Sequence, residues 1–158
     1  DAPQTFLLAE SIDKVMKSFI HNAAYHQVKY TLKTQGNTSI TSYSTYWFQI
    51  LESLLTNTII HGFKGDHFSA INIVLNIEKQ DEEHIQVIYQ DNGCGVLDEE
   101  IKSIFEPFYT TLRSQGHAGL GLHIIYNMIT QTLKGSMCYR QQENGACFVI
   151  TLPRTLTK

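Results

Sequence analysis

Two glycine clusters, Asp91-Asn92-Gly93-Cys94-Gly95 and Gly116-His117-Ala118-Gly119-Leu120-Gly121, hold five of the ten glycines in the chain. They separate a strand-like run from a helix-like run, so the backbone at both places is committed to loop. Glycine permits a sharp turn or a close approach of backbone to a ligand. The second cluster opens into Leu122-His123-Ile124-Ile125-Tyr126-Asn127-Met128-Ile129, whose periodicity is helical. The free N–H groups and positive dipole end of such a helix point back into the loop and suit an anion. The first cluster begins with a carboxylate, which accepts hydrogen bonds and repels phosphate. A ligand that satisfies both clusters has a donor-rich group at one end and a polyanion at the other, as a purine nucleotide has.

Periodicity predicts the surrounding elements. Residues Phe6 to Ala24 read as an amphipathic helix, with Leu8, Ile12, Val15, Met16, Phe19 and Ile20 at helical steps. Gln27 to Leu32 alternates like a strand, and Gln35-Gly36-Asn37 reads as a turn into a short strand at Ser39 to Thr41, which together make a small hairpin. A second helix spans Tyr43 to His61, its apolar face formed by Trp47, Ile50, Leu51, Leu54, Leu55 and Ile59. Strands follow at Ile71 to Ile77 and His84 to Gln90, joined through Asp81-Glu82-Glu83. A short helix from Leu97 to Phe105 precedes Pro107 and a polar loop. The third helix ends at Lys134-Gly135, where a cation and a glycine both suit a helix C-terminus. The last strands, Met137 to Arg140 and Cys147 to Leu152, flank a turn at Glu143-Asn144-Gly145. Helices and strands intermix without a repeating βαβ unit, which predicts an α/β (α+β) two-layer sandwich.

Length and composition set limits. The 158 residues fit one domain, so residues 1–158 are read as a single unit with one core. The net charge of -3 and the lack of any long basic run argue against nucleic acid as a partner. Three cysteines without C-x-x-C spacing suit a reducing, cytoplasmic compartment. No apolar run reaches the roughly 18 residues of a membrane span. The chain starts at Asp1, not Met, so it reads as a fragment of a longer protein, and an inner-membrane anchor on that parent is left open.

Asn57 falls where the second helix's pattern asks for an apolar residue, and His61 lies one turn further along the same line. Two polar residues so placed either bond nearby backbone or line a cleft, and an Asn carbonyl there suits Mg²⁺. Asp91 either initiates a turn or contacts a ligand. A dinucleotide fingerprint fails because position 98 is Asp98, and no G-x-x-x-x-G-K-[ST] phosphate loop exists. The scattered histidines lack zinc-ligand spacing.

Four segments in order, Asn57-Thr58-Ile59-Ile60-His61, Asp91-Asn92-Gly93-Cys94-Gly95, Ile104-Phe105-Glu106-Pro107-Phe108-Tyr109-Thr110-Thr111 and Gly119-Leu120-Gly121-Leu122, resemble the N, G1, F and G2 boxes of the catalytic ATP-binding domain of sensor histidine kinases. The resemblance implies a Bergerat-type sandwich in which a mixed five-stranded sheet packs on three helices. It implies ATP and Mg²⁺ as cofactors, with Asn57 on the metal and Asp91 on the adenine amino group. His61, Gly93, Gly95, Gly116, His117, Gly119, Leu120, Gly121 and Leu122 complete the nucleotide site. The run from Phe105 to Gly119 corresponds to the ATP lid, and Arg113 within it is the candidate catalytic cation.

This sequence departs from the pattern at three places. Ser53 stands where many members carry a second Asn, Ile60 where many carry Lys or Arg, and Ala146 where a Thr can help hold the adenine. None of the seven histidines has an H-E/D-x-x-x-P-like context, so the phosphoacceptor helices are expected outside these residues. The resemblance then implies transfer of phosphate to a histidine on the protein's own dimerisation domain, a homodimeric parent and a response regulator downstream. Two alternatives stay open. One is a degenerate nucleotide-binding or interaction module. The other is an ATPase or anti-sigma-type serine kinase of the same superfamily, which uses a Glu one helical turn before the metal Asn. At about 100° per residue, Ser53 lies about 40° from Asn57 around the helix and Glu52 about 140°, so Glu52 points elsewhere.

Overall fold

The computed structural model describes residues 2–64, 66, 69–107 and 121–157. Strand β1 (Gln4–Leu7) leads directly into helix α1 (Leu8–Ile20). Strands β2 (Val28–Thr34) and β3 (Ser39–Ser42) precede helix α2 (Trp47–Asn57), which continues as a π turn over Thr58–Gly62. Strands β4 (Ile71–Lys79) and β5 (His84–Asp91) follow, then a 3-10 helix over Asp98–Ser103. Helix α3 (Gly121–Asn127) also runs into a π turn, Met128–Thr132, before strands β6 (Ser136–Tyr139) and β7 (Cys147–Pro153).

The main sheet has five strands in the order β2-β4-β5-β7-β6, with β2 parallel to β4 and the other pairs antiparallel. This is the mixed five-stranded sheet that the family resemblance implies, packed on the helices. Period-two alternation determines which side is buried. Ile71, Ile73, Leu75 and Ile77 on β4, Ile85, Val87 and Tyr89 on β5, and Phe148, Ile150 and Leu152 on β7 share one core with Leu8, Ile12, Met16, Leu51, Leu55 and Ile125 of the helices. On the opposite face Ile88, Cys147 and Val149 form a small separate cluster. Burial pushes the Cys147 thiol above its ordinary pKa, which makes it a poor nucleophile at neutral pH.

The expected hairpin between β2 and β3 does not form. The turn at Gly36 is present, with φ of +75°. However, β2 pairs with β4, and β3 pairs with β1 in a separate two-stranded sheet. Val28, Tyr30 and Leu32 bury better beside Ile71, Ile73 and Leu75, their parallel partners, than a four-residue strand would allow. The same pairing shortens the first helix: Phe6 and Leu7 lie opposite Ile40 and Ser39, so helical backbone begins only at Leu8. Residues Ala23–Tyr25 form a separate 3-10 turn, and the predicted helix over Leu97 to Phe105 is the 3-10 helix named above.

The end of the third helix also differs from expectation. Lys134 takes the left-handed φ of +57°, and Gly135 serves a different need. A Cβ on Gly135 would lie 2.1 Å from the Thr151 carbonyl oxygen, so glycine is required for the chain to pass against β7. Gly135→Ala is expected to lower unfolding stability by about 3 kcal/mol. Gly36→Ala, with nothing within 4 Å of its added methyl, costs about 1 kcal/mol for the left-handed backbone alone. Urea melts followed through Trp47, the single tryptophan, which is fully buried, measure both.

Candidate functional site

The alternation that buries Ile85, Val87 and Tyr89 continues to the last residue of β5 and turns the Asp91 carboxylate toward the helices. Asp91 is 6% exposed, so its oxygens need partners. One carboxylate oxygen, Oδ1, accepts N–H groups from Gly93 and Ala146, both at 2.9 Å. The other, Oδ2, accepts the Thr58 hydroxyl at 2.7 Å. Thr58 Oγ1 is in turn 2.7 Å from the Tyr89 hydroxyl, and both residues are fully buried. Because the Thr58 proton is given to Asp91, the Tyr89 phenol is the donor in that second bond. Burial pushes the Tyr89 pKa well above its ordinary value, so the phenol keeps its proton.

The loop after Asp91 closes on the end of the second helix. Cys94 donates its backbone N–H to the Gly62 carbonyl at 3.0 Å and its thiol to the His61 carbonyl at 3.3 Å. Helix C-termini leave carbonyls without intrahelical partners, and this loop supplies two of them. The fit explains Gly93, where a Cβ would lie 2.8 Å from both the Cα and the oxygen of Gly62. Gly95 has φ of +74°, and Gly145 has φ of +79° with its missing Cβ only 1.9 Å from the Asp91 carbonyl oxygen. Val96 N–H donates to the Tyr139 hydroxyl, whose pKa burial raises. Strand β5, the π turn after α2 and the β6–β7 turn therefore converge on one carboxylate.

A cavity of about 290 Å³ opens beside it, lined by Asn57, His61, Gly62, Lys64, Asp91, Cys94, Gly95, Val96, Leu97, Glu100, Ile104, Leu122 and Ala146. Asn57, His61, Asp91, Gly95 and Leu122, all expected from the sequence, thus meet at one space. Gly93 shapes its wall through the Asp91 and Gly62 contacts. Gly121 begins α3 beside Ser53, whose Oγ would be 3.8 Å from a Cβ there. Arg113, Gly116, His117, Gly119 and Leu120 lie outside the described residues.

Sequence reasoning missed Thr58 and Lys64. A hydroxyl between Asn57 and His61 looks like an ordinary helix position, and only the Asp91 contact gives it a role. Lys64 has φ of +52° and brings a cation to the cavity. Ile60, where a cation was missing from the sequence pattern, does not line the cavity. Ala146 contributes its backbone N–H to Asp91 and no hydroxyl. Glu52 is exposed on α2 and is not among the lining residues, as the helix angle requires. Among the described residues no three His, Cys, Asp or Glu side chains gather as a metal site. The Asn57 amide is a hard oxygen donor that fits Mg²⁺ completing its shell with phosphate and water oxygens.

The family model described as histidine kinase-, DNA gyrase B- and HSP90-like ATPase matches residues 42–156. Sporulation kinase E of Bacillus subtilis is 35% identical over 82 residues, 52% of this chain and 11% of that protein. The CAI-1 autoinducer sensor kinase/phosphatase CqsS of Vibrio cholerae is 29% identical over 147 residues, 93% of this chain and 20% of that protein. The chain thus spans between a tenth and a fifth of the length of these relatives. The catalytic domain of histidine kinase ThkA superposes with a TM-score of 0.80 at 25% identity, covering 98% of this chain and 97% of that one. ThkA in complex with response regulator protein TrrA gives a TM-score of 0.77 at 23% identity, covering 97% of this chain and 42% of the other.

The Gly93 contact makes the loop's attachment testable. Gly93→Ala is expected to push the loop off the helix end and break the Cys94-to-Gly62 bond. Amide hydrogen exchange at Cys94 should then accelerate by about tenfold or more. Gly62→Ala, whose added methyl would meet Asp91 and Gly93 at an ordinary 3.6 Å, should change it little.

Proposed function

The chain belongs to the histidine kinase-, DNA gyrase B- and HSP90-like ATPase family, and from that membership we propose that it binds Mg-ATP and donates the γ-phosphoryl group to a histidine on a separate dimerisation domain. The observation that carries this reading is the buried Asp91 carboxylate, with acceptor capacity left over, in a cavity that Asn57 also enters. A carboxylate oxygen has room for two donors, and among the described residues Oδ2 holds only the Thr58 hydroxyl. The remaining lone pair suits the exocyclic amino group of adenine.

Asn57 lines the same cavity one residue before Thr58, and in this reading its amide faces the phosphates. Its oxygen would hold Mg²⁺, which supplies charge neutralisation on the phosphates when bound. Gly121 and Leu122 start the helix that faces the phosphates, and Arg113, His117 and the glycines before Gly121 belong to the same end in this reading. Lys64 offers a positive charge that Ile60 does not. Catalysis rests on positioning and on charge stabilisation rather than on a covalent intermediate.

Transfer is favoured over hydrolysis by what the second helix presents. Glu52 is exposed, and Asp91 and Glu100 are the only carboxylates that line the cavity among the described residues. Asp91 is occupied by three donors, and Glu100 enters with Leu97 from the segment after the first glycine cluster. Among the described residues, no carboxylate is thereby offered beside Asn57 to activate water. Residues 1–158 are then one catalytic ATP-binding domain of a longer, homodimeric kinase that passes phosphate to a response regulator. Among the described residues no helix is long and apolar enough to cross a membrane. A requirement for ATP supports a cytoplasmic position for the domain.

Titration with ATP, with and without Mg²⁺, tests the reading. Saturable, Mg²⁺-dependent binding is expected, and Asn57→Ala should remove the Mg²⁺ dependence. Absence of binding at millimolar ATP defeats the proposal. Joined to a kinase's phosphoacceptor helices, the chain should form acid-labile, base-stable phosphate. A second measurement uses the thiols. Cys94 and Cys138 are exposed and Cys147 is buried. Bound ATP should therefore slow alkylation of Cys94 while leaving Cys138 unchanged, and Cys147 should react only on unfolding.

A further inference from the structure

We propose that Thr58 and Tyr89 are positioning residues that set the base specificity of this cavity, by holding Asp91 as a carboxylate that can only accept hydrogen bonds. The inference rests on the nucleotide-binding reading above and names what gives that reading its selectivity.

The direction of each bond follows from counting donors. Gly93 N–H and Ala146 N–H are backbone donors and cannot reverse, so Asp91 Oδ1 is fixed as an acceptor at 2.9 Å from each. Thr58 has one proton and gives it to Asp91 Oδ2 at 2.7 Å. Tyr89 also has one proton, and Thr58 Oγ1 at 2.7 Å is its partner among the described residues. The three groups form a one-way chain, Tyr89 to Thr58 to Asp91.

A proton on Oδ2 directed at Thr58 would reverse both bonds. Asp91 would donate to Thr58, Thr58 would donate to Tyr89, and the phenol proton would be left in the core with no acceptor among the described residues. Tyr89 is fully buried, its ring 6.5 Å from that of Phe148 within the apolar cluster. Leaving a donor there unsatisfied is costly, so the chain opposes the reversal. Asp91 therefore faces the cavity with a fixed acceptor.

A fixed acceptor discriminates between purines by the group at position 6. A 6-amino group donates to it. A 6-oxo group presents a second acceptor at that position, and the base must shift before its neighbouring N1–H can donate to the carboxylate instead. Without Thr58 the carboxylate loses one of its three donors and is freer to turn, and the distinction weakens. The hydroxyl reaches Asp91 from the helix side because the strand side offers only a methyl: Ala146 is 4% exposed and bonds Asp91 through its backbone.

The test compares Mg²⁺-dependent binding of ATP and of inosine triphosphate, which has a 6-oxo group, by this 158-residue chain and its variants. The unaltered chain should favour ATP by at least about tenfold. Thr58→Val keeps the shape without the hydroxyl. It should weaken ATP by about tenfold, the worth of one hydrogen bond to a charged group, and inosine triphosphate by much less, so that the ratio narrows. Thr58→Ser should restore the ratio. Tyr89→Phe, which keeps the ring in the core, should narrow it in the same direction. The proposal is overturned if Thr58→Val keeps the original ratio or loses both nucleotides in equal proportion. Where the valine variant does not fold, Tyr89→Phe decides on the same criterion. Failure of the unaltered chain to bind ATP overturns the nucleotide reading and this inference together. ATP binding with an unmoved ratio overturns this inference alone.

Discussion

The burial of one carboxylate organises this molecule. Asp91 ends the central strand β5 on the helix side of the sheet, where water cannot satisfy it and the neighbouring strand positions are apolar. Burying an ion there is costly unless its oxygens are bonded. The bonds come from Gly93 in the loop that follows, Ala146 just before β7 and Thr58 on the helical layer. Each donor belongs to a different part of the chain, so satisfying the charge ties the sheet, the helix end and the following turn together. The functional cavity follows from this arrangement, since its wall is the loop that must bend to reach the carboxylate.

The helix gains from the same contact. A π turn widens the end of α2, with Phe63 N–H bonding the Thr58 carbonyl, and leaves the His61 and Gly62 carbonyls outside the ladder. Both are met by Cys94. The loop is therefore a cap for the helix, and the helix is a shelf for the loop. Gly93 has no room for a side chain because the two backbones touch there. The first glycine cluster reads from sequence as a place where backbone approaches a ligand. In the structure Gly93 approaches another segment of the protein, and the ligand space lies beside that contact.

Much of this was legible in the sequence because strand and helix periods are strong signals. The alternation Ile85, Val87, Tyr89 is read to Gln90, and the structure carries it one residue further, so that Asp91 falls on the buried face; the spacing of Asn57 and His61 places both on one line of the helix. Pairing was less legible. Alternation at Val28, Tyr30 and Leu32 establishes a strand but does not say that its partner is β4, more than 40 positions later, instead of the neighbouring β3. Lys134 and Gly135 show the same limit. A glycine after a helix looks like a C-cap, whereas this one is required by its distance to Thr151, which no local pattern encodes. Thr58 was missed for a similar reason, because its role depends on Tyr89 and Asp91, which are distant in sequence.

The two ends of the cavity differ in what they can contribute to a reaction. The Asp91 end is complete without a ligand: its donors are placed, and its strand, turn and helix contacts are buried. A contact made there to a base is the same in the bound substrate and in the transition state. Uniform binding of that kind lowers KM and leaves the chemical step unaccelerated. On the proposed reading the rate comes from the other end, where charge on the transferring group would change; Asn57 is only partly buried there and Gly121 at the start of α3 is exposed. In that reading the specificity groups lie in the buried core, and the catalytic groups lie where they can respond to the nucleotide.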